Sequence, residues 1–510
     1  MTTSGRGRQE TVDVTHPRAL SALLVLSAFL ASADILVIEI LAGRILAPYV
    51  GMSVYTWTAI ISTILAGLTI GNYIGGRLST GDTQTDCRRL GWIFAAAAFA
   101  TIAILFLARP LAGAVLATTE SAVAAVLLLS GGIFLLPALF GGMTGPVIAR
   151  AVLALNPDNH GHTLGFVYAA GSAGAIVGSI LSGFVLIPWL GSAQSTLIAG
   201  GVLVVLAILW LSLGRMRAMA AVAGVLLIAA TWGAGAGWRE ACLRESALFC
   251  IRVIPMDAPD LARAGVRGLV LDHLVHGMNV RDEPGALISP YASQMHRAVL
   301  RLHPEPESVF FVGGGAYTIP RAWGQALAVT VAEIDPVVTE VAREHLWLDP
   351  TGMTILHEDA RVALRRLPDR SFDLVVGDAF KDVAAPFHLL TAEFNALVHR
   401  KMKPGGLYLL NLVDREPETR ALKAVAATFA TAFRTVIVWK ELNETGKPKR
   451  HTFVVVGTDR TIDPAMLRAA TQPGWATWRI ASEDRSDAMV LTDAHAPLEH
   501  LLGLAADTIN

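Results

Sequence analysis

Six residues in the C-terminal half combine types and spacing that could do chemistry. Gly313, Gly314 and Gly315 close the apolar run "SVFFV", Glu333 closes "AVTVA", Asp359 follows "MTILHE", and Asp378 closes "FDLVVG". A glycine turn lets backbone N–H groups approach a ligand closely. An acidic side chain at the next strand end can accept hydrogen bonds from both ribose hydroxyls of a nucleoside. Glu333 stands in that place, 18 residues after Gly315. Asp359 could accept a bond from an adenine amino group, and Asp378 could hold a cation or take up a proton. The turn lacks full GxGxxG spacing and the lysine of a P-loop, which argues against a phosphate cradle. Any one carboxylate reads equally well as a solvated strand end. The set reads as a nucleoside site.

The surrounding pattern says what must position these groups. "AVTVAEIDP", "MTILHEDARVALRRL", "FDLVVGDAF", "GGLYLLNLVD" and "TFVVVGT" are strand-like segments separated by helical ones. Such alternation predicts an α/β Rossmann-like, methyltransferase-type domain over 303–510, with a doubly wound and mostly parallel sheet. Ligands on such a sheet bind beyond the strand C-termini, where all the candidates fall. A small β-rich part over 238–302 precedes it, with "CIRVIP" and "RGLVLDHLVHGMNV" as strands and "PYASQMHRAVLRL" as a helix.

The first half is of another kind. Residues 1–237 hold 11 Arg, no Lys and 8 acidic residues, against 30 basic and 34 acidic over 238–510. With 53% apolar residues and a mean hydropathy of +0.51, a wholly soluble enzyme is excluded. Apolar runs lie near 19–47, 54–78, 90–110, 121–149, 163–190, 194–213 and 216–237. At about 20 residues per crossing they predict a seven-helix transmembrane domain over 19–237, after an N-terminal tail of 1–18. The first run is too long for a cleavable leader. Gly174 and Gly178 have the spacing that lets membrane helices touch. Asp34, Glu39 and Arg44, in or beside the first run, read either as an ion path or as a buried pair that fixes packing, and packing is the expectation. A net charge of −1 gives no sign of a nucleic-acid partner.

Nine arginines fall on the tail and on the loops after runs two, four and six, against Arg44 and Arg109 on the other side. This places the N-terminus in the cytoplasm, and seven crossings then leave residues 238–510 outside. Cys242 and Cys250 could form a disulfide in an oxidising compartment, or remain two ordinary thiols.

Together, "LVLDHLVHG", "SPYASQM", "VGGGAYT", "AEIDP", "HEDAR", "GDAFKDVAAPFHLLTAEF" and "KPGGLYLLN" resemble the spermidine synthases, or polyamine aminopropyltransferases, and more closely a membrane-fused bacterial branch of them. The resemblance implies a multi-pass protein of the bacterial inner membrane. It implies transfer of an aminopropyl group from decarboxylated S-adenosylmethionine to an amine such as a polyamine, release of methylthioadenosine, no metal, and a homo-oligomer. It also implies that Gly313–Gly315 and Glu333 hold the donor nucleoside, Asp359 the adenine, that Asp378 is the catalytic carboxylate, and that Tyr291 lines the amine side.

Two acidic positions depart from the family. The aspartate that follows the three glycines is Ala316 here, with Tyr317 next. The second aspartate after the catalytic one is displaced to Asp382, beside Lys381, and Lys447, Lys449 and Arg450 follow late in the chain. A site for a dication should not gain cations. Two alternatives therefore stand beside aminopropyl transfer. One is an enzyme using intact S-adenosylmethionine, as a lyase or methyltransferase, and the other a nucleoside-sensing transporter or receptor. Donor chemistry is cytoplasmic, so the side of the soluble half stays open, with the charge pattern pointing outward.

Overall fold

The computed structural model describes residues 17–119, 121–213, 224, 242–256, 265–324, 326–379, 386–442, 450–478 and 488–502. Contacts divide the chain into a helical unit within residues 1–241 and a second unit containing Cys242–Asn510.

The helical unit comprises α1 (Pro17–Val50), α2 (Val54–Leu78), α3 (Thr83–Thr118), α4 (Ala122–Leu155), α5 (His160–Leu181) and α6 (Ile187–Leu213), with a π-helical turn, Ser182–Leu186, joining the last two. Five helices are long and apolar enough to cross a membrane, with α5, the π turn and α6 counting as one run of 54 residues. A straight helix of that length would extend about 80 Å, against a hydrocarbon core of about 30 Å. Gly191 breaks it, at φ 76° and ψ 174°, between the fifth and sixth predicted runs. Of the seventh predicted run, 216–237, Gly224 alone is described. Helices α1 and α5 meet backbone to backbone. A Cβ built on Gly174 or Gly178 would fall 2.0 or 2.2 Å from the carbonyl oxygens of Phe29 and Ala33, so a larger residue would force the helices apart. Asp34 is buried in this unit.

The second unit begins with a four-stranded antiparallel sheet of β1 (Arg244–Glu245), β2 (Cys250–Pro255), β3 (Val266–Leu271) and β4 (Leu274–Val280). "RGLVLDHLVHGMNV" is thus a hairpin rather than one strand, turned at Asp272, which takes a left-handed φ of 54°. Helix α7 (Pro290–Leu302) follows. The main sheet is built from β5 (Ser308–Val312), β6 (Ala328–Ala332), β7 (Met353–Leu356), β8 (Phe372–Gly377), β9 (Met402–Arg415), β10 (Thr435–Glu441), β11 (Arg450–Thr458) and β12 (Trp475–Thr477). Between them run α8 (Thr318–Trp323), α9 (Pro336–His345), α10 (Ala360–Arg366), α11 (Ala392–Lys401), α12 (Arg420–Phe429) and α13 (Pro464–Ala470).

The strand order is β12-β10-β11-β9-β8-β5-β6-β7. The segment from β9 to β7 is parallel, while β11, β10 and β12 add antiparallel pairs. Alternation along each strand feeds two cores. Val309, Phe311, Leu374 and Val376 face α7, and Phe310, Val312, Val375 and Tyr408 face α12, as a two-residue period requires. From β5 the chain moves outward to β6 and β7, then returns to β8 on the other side of β5. The crevice between the C-terminal ends of β5 and β8 is therefore the switch point at which such sheets bind ligands.

Candidate active site

The glycine turn leaves β5 at that crevice. Gly313 and Gly315 take φ values of 92° and 51°, which a residue with a Cβ adopts only under strain. Gly313 is also pressed against the end of β8, since a Cβ there would lie 3.0 Å from the Asp378 carbonyl oxygen. A Cβ on Gly314 would lie 2.5 Å from the Tyr317 ring. Tyr317 is fully buried. Its hydroxyl is 2.7 Å from Thr339 Oγ1, which His357 Nε2 approaches to 3.1 Å. The aromatic after the glycines thus packs against the turn and supports it.

Glu333 follows β6 and is buried. Its Oε2 accepts from the N–H groups of Gly314 at 2.8 Å and Gly315 at 3.1 Å, and its Oε1 accepts from Asp335 N at 3.0 Å. Burial pushes its pKa up, and those three N–H groups oppose the shift. The carboxylate is thereby fixed in one orientation beside the turn.

Asp378 follows β8 directly and is half-buried. Its Oδ2 accepts from the Tyr291 hydroxyl and its Oδ1 from Asn411 Nδ2, each at 2.9 Å. Burial pushes the Asp378 pKa up to about 6, against the lowering effect of those two donors. Burial, then the Asp378 charge, push the Tyr291 hydroxyl well above its usual range, so it remains a proton donor in the hydrogen bond. Tyr291 is placed by the first turn of α7 and Asn411 by β9, two elements that converge on one carboxylate.

Asn411 has no role in the sequence reading. Its only signal is a polar residue inside the apolar run "LYLLNLV". It is buried, and its Oδ1 has no hydrogen-bond partner among the described residues. Such an acceptor suits an N–H donor from a ligand.

Asp359 lies three residues beyond β7 rather than at its end. One oxygen caps α10, accepting from Arg361 N at 3.0 Å and Val362 N at 3.1 Å, and the other is 2.8 Å from His388 Nε2. Ala316 is buried, and a Cβ on Gly277 of β4 would lie 2.7 Å from its methyl group. His276, also on β4, is kept neutral. Burial and, to a lesser degree, His273 push its pKa down to about 4. Asp382, Lys381, Lys447, Lys449 and the Arg450 side chain lie outside the described residues. The described residues contain no group of three or more His, Cys, Asp or Glu placed to hold a metal ion.

Fold and site together define a doubly wound α/β unit with a glycine turn and a hydrogen-bonded carboxylate at its switch point. No family model matches the chain. It is 28% identical over 163 residues to a polyamine aminopropyltransferase of Vibrio vulnificus, covering 31% of this chain and 53% of that protein. It is 27% identical over 337 residues to polyamine aminopropyltransferase 2 of Streptomyces coelicolor, covering 59% of this chain and 58% of that protein. The chain thus spans little more than half the length of these curated relatives. A probable spermidine synthase of Corynebacterium glutamicum, of known structure, aligns with 49% of this chain and 94% of its own, at 22% identity and a TM-score of 0.43. Both of these curated relatives are polyamine aminopropyltransferases, which supports the resemblance to the spermidine synthase family.

Proposed function

We propose that the chain is a membrane-bound enzyme that transfers an aminopropyl group from decarboxylated S-adenosylmethionine to an amine. The observation that carries this reading is the Asp378 carboxylate, held by Tyr291 and Asn411 against the glycine turn that Glu333 orders. A sulfonium activates its neighbouring carbons. When an amine attacks the aminopropyl carbon in line, an N–C bond forms, the C–S bond breaks and methylthioadenosine leaves. The attacking nitrogen must lose a proton, and Asp378, ionised above about pH 6, can accept it. Asn411 Oδ1 offers a second acceptor to the same amine. Glu333 would take the ribose hydroxyls, the glycine turn the nucleoside edge, and Asp359 the adenine amino group. Asp382 belongs to the acceptor side by family resemblance alone. Pure protein incubated with decarboxylated S-adenosylmethionine and putrescine should yield methylthioadenosine and an aminopropylated putrescine, while omission of the amine or use of intact S-adenosylmethionine should not give that product. Failure to release methylthioadenosine from either donor sinks the proposal.

A second reading keeps the pocket and uses intact S-adenosylmethionine, as a lyase or methyltransferase. Ala316 favours it, because it gives the donor's terminal amine no anionic partner. Ala316→Asp is expected to shift donor preference toward the decarboxylated form, whose tail carries no carboxylate to repel the new one. The packing against Gly277 makes this variant less stable than the wild type. A donor ratio equal to that of the wild type would assign selectivity to another residue.

The membrane setting rests on the five apolar helices. An outward-facing second unit is supported by the arginine bias and by the Cys242–Cys250 disulfide, since such bonds persist in oxidising compartments. It requires residues 216–237 to cross as a seventh span. With the native cysteines replaced, a single cysteine placed on the surface of the second unit should react with an impermeant thiol reagent in intact cells. Reaction only after lysis would put the unit inside.

A further inference from the structure

Residues 242–250 contain β1 and run into β2; they take no part in the chemistry above, yet through Asp335 they connect to the binding carboxylate Glu333. Cys242 and Cys250 are disulfide-bonded, with Cα atoms 5.4 Å apart, around a turn in which Ser246 N donates to Phe249 O at 2.9 Å. Ser246 Oγ accepts from Leu248 N at 3.1 Å and Phe249 N at 2.9 Å, and it donates to Asp335 Oδ2. Asp335 in turn caps α9, its Oδ1 accepting from Val337 N at 3.0 Å. Its own N–H is the donor that fixes Glu333 Oε1, at 3.0 Å. Ser246 and Asp335 are 4% and 3% exposed, so water does not replace these bonds readily.

We propose that Ser246, held in place by the Cys242–Cys250 disulfide, is a positioning residue for Glu333, and that the oxidised protein binds its nucleoside more tightly than the reduced one. The physical basis is the way the bonds are shared. Two of the turn's own N–H groups aim the Ser246 hydroxyl, and the disulfide restricts the chain that carries them. Two-electron reduction to two thiols frees that turn. Asp335 then loses a partner in a dry setting, and the segment carrying its N–H is no longer held to one geometry. An oxidising compartment would keep the device in its binding form.

The inference rests on the reading of Glu333 as the ribose carboxylate, and calorimetry with methylthioadenosine on the full-length protein in detergent tests both. Ser246→Ala should weaken binding by roughly 2- to 10-fold, the range for one net hydrogen bond. Ser246→Thr, which keeps the hydroxyl, should restore it. Reducing the wild type with a phosphine should cause a similar loss. Reducing Ser246→Ala should add little, because both changes act through one contact. Wild-type affinity in Ser246→Ala, no rescue by Thr, or a reduction effect as large in Ser246→Ala as in the wild type would each overturn the proposal. If the oxidised wild type binds no methylthioadenosine, the functional reading fails and this one falls with it.

Discussion

Asp378→Asn is expected to lower kcat by about 10²- to 10⁴-fold, the usual range for removing a positioned acid or base, while methylthioadenosine binds nearly as before. The substitution is close to isosteric, and one amide oxygen can still accept from Tyr291 or Asn411. What disappears is the charge that holds an ammonium and receives its proton. The pH profile supplies a second signature. The wild type should gain activity as pH rises through about 6, because the group must be ionised to act and its pKa is raised to about 6. The Tyr291 hydroxyl and the Asn411 amide both favour the ionised form. Tyr291→Phe should therefore move the profile to higher pH, whereas a tyrosine that only shapes the amine pocket would raise KM and leave the profile in place. Wild-type turnover in Asp378→Asn, measured with either donor, would remove Asp378 from the mechanism.

The parts of this site that the sequence made legible are those tied to strand ends. An apolar run that stops at a glycine turn or a carboxylate marks the C-terminal edge of a parallel strand, and that edge is where ligands bind. Gly313–Gly315, Glu333 and Asp378 stand there for that reason. Asn411 was not legible. It sits inside the longest strand, and only the pairing of β8 with β9 brings it to Asp378. Asp359 was legible as a carboxylate near a strand end, but not as the cap of α10, because capping depends on where the helix begins. The strand β12 escaped because its three residues are too few for a two-residue period to show. In the helical half, hydropathy marked the break at Gly191 within α6, since the small polar stretch "GSAQS" interrupts an apolar run. The Ser246–Asp335 contact joins residues 89 positions apart, and no local pattern announces it.

Glu333→Ala carries the largest expected effect on binding. Losing a charge-assisted hydrogen bond to a ligand costs about 1.5–3 kcal/mol, or roughly 10- to 150-fold in affinity for methylthioadenosine. The structure complicates the reading, because the same carboxylate accepts three backbone N–H groups within 3.1 Å. Glu333→Gln is no gentler, since an amide has one acceptor oxygen. If that oxygen serves Gly314 and Gly315, its NH2 group faces the Asp335 N–H, donor against donor. Weakened binding alone therefore cannot separate a ribose contact from a collapsed turn. A ligand change can. The 2′-deoxy form of methylthioadenosine lacks one of the hydroxyls that Glu333 would hold, so it should bind the wild type several-fold more weakly than the parent nucleoside. In Glu333→Ala the two ligands should bind alike, because the partner of that hydroxyl is already gone. A deoxy penalty as large in Glu333→Ala as in the wild type would show that Glu333 orders the glycine turn without touching the ribose.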